Sequence, residues 1–258
     1  YDNSIQIEGP GQAIRLAAQV KVANSDVAID FTGTDGPVRA SINVPVCYTR
    51  AQSNYVIKCL TIPSLPNNEG AIRPITVTAP DTCILNAQPP WPTGGRHSVG
   101  HFVVPLLMGA LAEALPDKVQ ADTAMMNVLS VQGRHRDGEE VSSLFFLAGG
   151  LGAMQGLAGQ AVTPAPSNMT VVPTEIWENR TSMTIERRQI LPGTGGKGRW
   201  PGGDGQEVVF SNDSGHRFEF ALMGQRTEFP AKGFAGGGDG ALRCFEVNGK
   251  VVDPKARI

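Results

Sequence analysis

The chain has 258 residues, 41% of them hydrophobic and 18% charged, and its 22 basic and 24 acidic residues leave a formal net charge of -2. That length allows one large domain or two modest ones around a substantial core. Neither Lys nor Arg forms a run, which excludes DNA and RNA as main ligands, and the low charge points to a surface partly covered by a partner chain.

In chain order, Ile14, Leu16, Ala18, Val20 and Val22 alternate with mostly polar neighbours, and Val27, Ile29 and Phe31 repeat the pattern after Ala23-Asn24-Ser25-Asp26. A period of two on both sides of a turn-forming quartet predicts an antiparallel hairpin. Gly33, Gly36 and Pro37 end its second strand. A first helix is expected after Pro45, with Tyr48, Ala51, Tyr55 and Cys59 on one face and an end before Pro63 and Pro66. PNNEG is then expected to turn through left-handed Asn and Gly backbone into a short strand from Ile72 to Ala79, followed by the proline-stiffened QPPWPTGGR.

Val99, Phe102, Val103, Leu106, Leu107, Ala110, Leu111 and Ala114 keep helical spacing up to Pro116, which predicts a central amphipathic helix with Pro105 in its first turn or kinking it. Beyond it the apolar segments are short and separated by glycine: LFFLAGGLGAMQGLAGQ, MTIERRQIL, EVVFSN, HRFEFALMG and FEVNGKVV. The second half is therefore expected to be mainly β. The 31 glycines and 19 prolines recur without a period, which excludes collagen and solenoid architectures. The fold class expected is α+β, a β-rich single unit with one central helix and many Gly/Pro-rich loops.

Cys47, Cys59, Cys83 and Cys244 form no C-x-x-C pair and are read as reduced, buried structural thiols. No stretch is long and apolar enough to span a bilayer, and YDNSIQIEGPG lacks a signal pattern, so a soluble, cytoplasmic protein is expected. The start at Tyr1 and the strand-like end VVDPKARI suggest a fragment of a longer chain.

Few motifs carry chemistry. LPGTGGKGRWPGGDG, from Leu191 to Gly205, resembles a phosphate cradle, but Lys197 is followed by Gly-Arg-Trp-Pro rather than Ser or Thr and a helix, so a structural loop between strands is the stronger expectation. His97 and His101 have the spacing of two imidazoles on one metal, yet H-S-V-G-H lacks the glutamate of a hydrolytic zinc motif and no third ligand lies nearby. No metal site is therefore assigned. Arg96 follows Gly94-Gly95 just before a helix start, a setting that suits a carboxylate or phosphate. Glu69 in NNEG is a further candidate acid or base. Glu175, Glu178 and Glu186 lie beside arginines, where ion pairs are commoner than catalysis, and Glu186-Arg187-Arg188 reads as one face of a strand. The catalytic candidates are thus Arg96, His97 and Glu69, and no cofactor-binding residue is assigned.

Taken together in order, these segments resemble a known family. Asp30 to Thr34, Asn43, Tyr55, Pro66, Asn68, Gly70, Arg73, Pro74, Leu85, Asn86, Pro89 and Gly95 follow the D-F-T-G-T box, N-x-P step, tyrosine-bearing helix, P-x-N-x-G turn, R-P strand and L-N-x-x-P-P stretch of the hydantoinase B/oxoprolinase family. LLMGALAEALPD, GGLGA, PTEIWE, GTGGKGRWPGGDG and FPAKGFAGGGDGA continue the resemblance over nearly the whole chain.

The resemblance implies that residues 1–258 are the carboxyl-terminal portion of a hydantoinase B/oxoprolinase-type subunit. It implies an ATP-dependent enzyme that opens cyclic amides through a phosphorylated substrate, or the related carboxylation of ketones of the acetone or acetophenone type. A third reading is a non-catalytic module that docks the ATP-binding subunit. ATP and Mg2+ are expected on a hydantoinase A-type partner and a divalent metal on the amino-terminal half of the same subunit, with none bound by this chain alone. Gly94-Gly95-Arg96-His97-Ser98 departs from the family's usual G-G-N followed by a polar pair, which points to a pocket tuned to a different substrate.

Overall fold

A computed structural model describes residues 1–253; the remainder of the VVDPKARI end, residues 254–258, lies outside the described residues. The chain divides into two compact units, one of Tyr1–Ala121 with Met154–Leu157 and one of Asp122–Ala153 with the described residues from Ala158 on. Helices and strands are mixed in the α+β manner expected.

The first unit is built on a four-stranded sheet of β1 (Asp2–Glu8), β2 (Ala13–Ala23), β3 (Asp26–Asp30) and β4 (Ile75–Thr78), in that order. The hairpin forms as the alternation predicts: β2 and β3 pair antiparallel from Ala23 opposite Asp26, across a turn in which Asn24 takes a positive φ of 54°. Ile14, Leu16, Ala18 and Val20 all point into the core. β1 has little signature in the sequence, since only Ile5 and Ile7 mark it. β4 is shorter than expected and runs parallel to β3, so the chain crosses over between them through a helix.

That helix, α1 (Val46–Thr61), starts after Pro45 as expected but turns the other way. It buries Thr49, Ser53, Val56, Ile57 and Leu60, while Ala51, Tyr55 and Cys59 face out. Both stripes have helical spacing. The buried one carries two hydroxyls that find acceptors: Thr49 Oγ1 donates to the Leu85 carbonyl at 2.6 Å and Ser53 Oγ to the Thr49 carbonyl at 2.8 Å. The helical turn α2 (Glu69–Ile72) replaces the left-handed turn expected of PNNEG. Asn68 is extended, with φ -155°, and caps α2 by accepting from the Ala71 N–H at 3.0 Å.

The central helix breaks in two. α3 (His97–Gly100) is a single turn, and α4 (Val103–Leu111) restarts so that Pro105, which has no N–H to give, falls in the first turn. In α4 every residue but Gly109 is buried, so this stretch is apolar all round rather than two-faced. Asn3 Nδ2 on β1 ties to it by donating to the Leu106 carbonyl at 2.9 Å. The 3-10 turn Ile84–Asn86 and fully buried Asn43 set the loops around α1. Asn43 Nδ2 donates to the carbonyls of Val38, Ala40 and Pro92, and its Oδ1 accepts from the Val38 N–H.

The second unit is mainly β, as expected. β5 (Met126–Arg134) lies between β6 (Glu140–Ala148) and β9 (Glu219–Met223), and β7 (Met183–Leu191) pairs with β8 (Gly205–Asn212). A small ribbon, β10 (Glu246–Val247) with β11 (Lys250–Val251), follows. α5 (Thr174–Thr181) precedes β7 and ends on Ser182 in left-handed conformation, φ 57°. Trp177 of α5 is the centre of this core, 4.7 Å from the Phe145 ring and 5.9 Å from the Phe210 ring. The run Glu186-Arg187-Arg188 is not one face: a bulge interrupts the β7–β8 pairing between Ile185 and Arg187. Arg187 pairs with Glu207 at 2.6 Å, Arg188 lies over Phe145, and Glu186 accepts from Ser211 Oγ. Of the four cysteines only Cys83 is buried; all are free thiols, which corrects the buried reading for Cys47, Cys59 and Cys244.

Candidate functional site

Two of the three catalytic candidates meet on α3. Arg96 caps it from outside, exposed, with its guanidinium 5.8 Å from the centre of the Tyr48 ring. Its other contact is a long hydrogen bond, 3.5 Å, to the Thr93 carbonyl. The His97 and His101 rings lie 6.0 Å apart, and His101 lies 6.1 Å from the Tyr48 ring. Tyr48 comes from the first turn of α1, so one aromatic residue meets the cation at the start of α3 and the imidazole just past its end. Gly100 makes this possible, because a Cβ there would sit 2.5 Å from the Tyr48 ring. A side chain at residue 100 would drive the ring away.

Burial sets the charges. Desolvation, helped by the Arg96 charge, lowers the His97 pKa below its usual 6.5, and desolvation with a smaller contribution from His97 lowers His101 to about 4. Both imidazoles are neutral at pH 7. The Tyr48 phenol is pushed up by burial, against the pull of Arg96, so it too is neutral. Within this group of four the guanidinium carries the whole charge. His97 Nε2 and the hydroxyl of nearby Ser98 are buried without a hydrogen-bond partner, an arrangement that costs about 1–3 kcal/mol per group unless something polar reaches them.

Glu69 does not join them. It is exposed in the first turn of α2, where its backbone carbonyl accepts from Arg73 N, and no hydrogen bond or ion pair joins it to Arg96 or His97. Glu175 is likewise exposed on α5, and Glu178 is structural, its carboxylate accepting from the Ile185 N–H at 2.7 Å.

His97 and His101 remain a pair: no group of three or more His, Cys, Asp or Glu side chains placed to hold an ion occurs among the described residues. The glycine-rich loop from Leu191 to Gly205 joins β7 to β8, and several of its amides are already used. Gly195 N donates to Asp204 Oδ1, Gly202 N to the Gly196 carbonyl, and Gly203 N to the Leu151 carbonyl. A Cβ at Gly150, Gly159, Gly195, Gly196 or Gly203 would collide with the backbone of a neighbouring loop segment. This is the structural loop between strands expected of the sequence, packed backbone to backbone at these glycines.

Two features lie beyond sequence reasoning. The spacing of Tyr48 places it on an apolar stripe of α1, and only its packing on Gly100 shows it as the organiser of the site. Asp122 and Arg226, both buried, form an ion pair of 2.5 Å in the second unit across 104 positions of sequence. Arg226 also donates to the carbonyls of Thr123 and Pro230, which makes it a framework residue. No local pattern marks either partner.

Residues 1–257 match the hydantoinase B/oxoprolinase family. The chain belongs to that family. A Pseudomonas sp. (strain NS671) protein, named as the B component of a D-/L-hydantoinase, is 30% identical over 244 residues, which are 91% of this chain and 40% of that one. The 5-oxoprolinase of Dictyostelium discoideum is 25% identical over 251 residues, 94% of this chain and 19% of that protein. Among solved structures, the ATP-dependent caprolactamase of Pseudomonas jessenii superposes with a TM-score of 0.74 at 18% identity, over 86% of this chain and 40% of its own. An acetone carboxylase in a nucleotide-free structure gives 0.70 at 20% identity, over 81% of this chain and 29% of its own. These structures show the same fold. The hydantoinase B/oxoprolinase chain described here thus spans less than half the length of these relatives. Among its described residues no helix is long and apolar enough to cross a membrane.

Proposed function

We propose that this chain is part of an ATP-dependent enzyme that opens cyclic amides, and that the cluster of Tyr48, Arg96, His97 and His101 faces its substrate. The family match across residues 1–257 carries this reading. An amide in a ring is stabilised by resonance, so its hydrolysis needs an activated oxygen, which ATP supplies. The family resemblance supports placing ATP and Mg2+ on a hydantoinase A-type partner, and a divalent metal on the amino-terminal portion of the same subunit. The contribution of this chain is recognition: one guanidinium for an anionic group and neutral imidazoles that donate or accept hydrogen bonds to an uncharged ring. A cytoplasmic enzyme complex is the natural setting for an ATP-consuming reaction.

The test uses the full-length protein with its ATP-binding partner, measuring ATP turnover with hydantoin, 5-oxoproline and caprolactam, and with acetone plus bicarbonate. Turnover stimulated by a cyclic amide without bicarbonate is expected. The likeness to acetone carboxylase in fold favours a second reading, a ketone carboxylase, for which stimulation would require ketone and bicarbonate together. If no compound stimulates turnover and replacing Arg96 or His97 by Ala alters assembly alone, the chain is a docking module.

A further inference from the structure

We infer that Arg96 is the specificity residue of the site, reading a single carboxylate on the substrate, so that the preferred compounds are cyclic amides bearing an acid group rather than neutral lactams. The inference rests on the proposed amide-opening reading and sharpens its substrate class.

Three observations support it. The first is availability: Arg96 is exposed and its side chain has no acidic partner among the described residues, its one side-chain hydrogen bond being the 3.5 Å contact to the Thr93 carbonyl. A guanidinium presents five donors in a fork matched to carboxylate, and nearly all of that capacity is open here. The second is fixation. The ring of Tyr48 lies 5.8 Å beneath the guanidinium, and Tyr48 is itself held against Gly100. A cation stacked on a locked aromatic loses less freedom on binding than a free surface arginine.

The third is charge balance. With His97, His101 and Tyr48 neutral at pH 7, the cluster offers one positive charge. One charge matches a monoanionic carboxylate. A phosphoryl group carries close to two negative charges and draws on several donors and cations at once. An oxyanion is the shared chemistry, and the geometry assigns it to the substrate's own carboxylate.

Binding to the full-length protein, followed by calorimetry without ATP, separates the possibilities. 5-Oxoproline and 2-pyrrolidinone differ only in the carboxylate. The wild-type protein is expected to bind 5-oxoproline about tenfold or more tightly than 2-pyrrolidinone. Arg96→Gln should remove that preference while leaving the affinity for 2-pyrrolidinone and the melting temperature unchanged, and Arg96→Lys should restore only part of it. Equal binding of the two compounds, or a preference that survives Arg96→Gln, overturns the inference and leaves the amide-opening reading standing. Inorganic phosphate that displaces 5-oxoproline at equal or lower concentration overturns the carboxylate assignment. Binding of neither compound overturns the substrate reading together with the inference.

Discussion

The helical cluster of the first unit and the glycine-rich loops of the second both depend on glycine, but in opposite ways. At Gly100 a missing Cβ makes room for a side chain, the Tyr48 ring, and polar atoms nearby are left without partners. Around Gly150, Gly195, Gly196 and Gly203 the missing Cβ atoms let backbone meet backbone, and the amides of Gly195, Gly202 and Gly203 are hydrogen-bonded in the process. The first arrangement leaves buried polar atoms unpaired; the second gives several of its amides to protein oxygens. A glycine-rich sequence is therefore no guide to binding until its amides are accounted for.

This contrast can be broken by substitution. The largest effect is expected at Gly150, where Ala would place its Cβ against the Gly203 carbonyl. A loss of about 4 kcal/mol or more in denaturant unfolding, with much of the protein insoluble, should follow. Ala at Gly193, where nothing lies within 4 Å and only the φ of 79° is unfavourable, should cost about 1 kcal/mol. Equal losses at the two positions would show that backbone packing is not what the glycines supply.

Acid should act next, and on the first unit. His101 has its pKa lowered to about 4 from 6.5, so the folded state resists the proton that the unfolded chain accepts. Stability is then full above pH 6.5 and declines as pH falls toward 4, by up to about 3 kcal/mol. His101→Gln should flatten that decline in unfolding experiments at a series of pH values. An unchanged acid limb would remove the desolvated histidine from the account.

A smaller change is expected from Gly100→Ala. Overpacking against Tyr48 should cost about 2 kcal/mol, and the preference for carboxylate-bearing ligands should fall with it because Arg96 loses its platform. Tyr48→Leu combined with Gly100→Ala should recover stability but not the preference. The smallest effect belongs to the exposed pair of Arg187 and Glu207 in the second unit, where Arg187→Ala should change stability by less than about 1 kcal/mol.

Much of the framework is legible in the sequence because it is local. The alternation from Ile14 to Phe31 dictates the β2–β3 hairpin, since a shift by one residue would turn its apolar set into water. Pro45 and the pair Pro63 and Pro66 bracket α1 for reasons internal to the backbone. The D-F-T-G-T box is local in its turn, where Asp30 accepts from Thr32 and Gly33 takes a φ of 91°, while Thr34 Oγ1 ties it to β2 by accepting from and donating to Ala17. Arg96 and His97 stand out because few other polar residues sit beside a helix start.

Other features need the fold. Two stripes on α1 have helical spacing, and the one that is buried finds tertiary partners such as the Leu85 carbonyl for Thr49. Glu69 looks as promising as Arg96 in the sequence, yet its turn stands in solvent. What the amino-acid sequence determined alone was the family, the strands and helix starts that periodicity and proline dictate, and the candidates on α3. The tertiary structure decided which candidates meet, through the Tyr48 ring against Gly100, and which glycines are closed, through amides already given to carbonyls. Periodicity and turn chemistry act over a few neighbouring residues, whereas the fit of a ring or the partner of an amide depends on atoms brought from far along the chain.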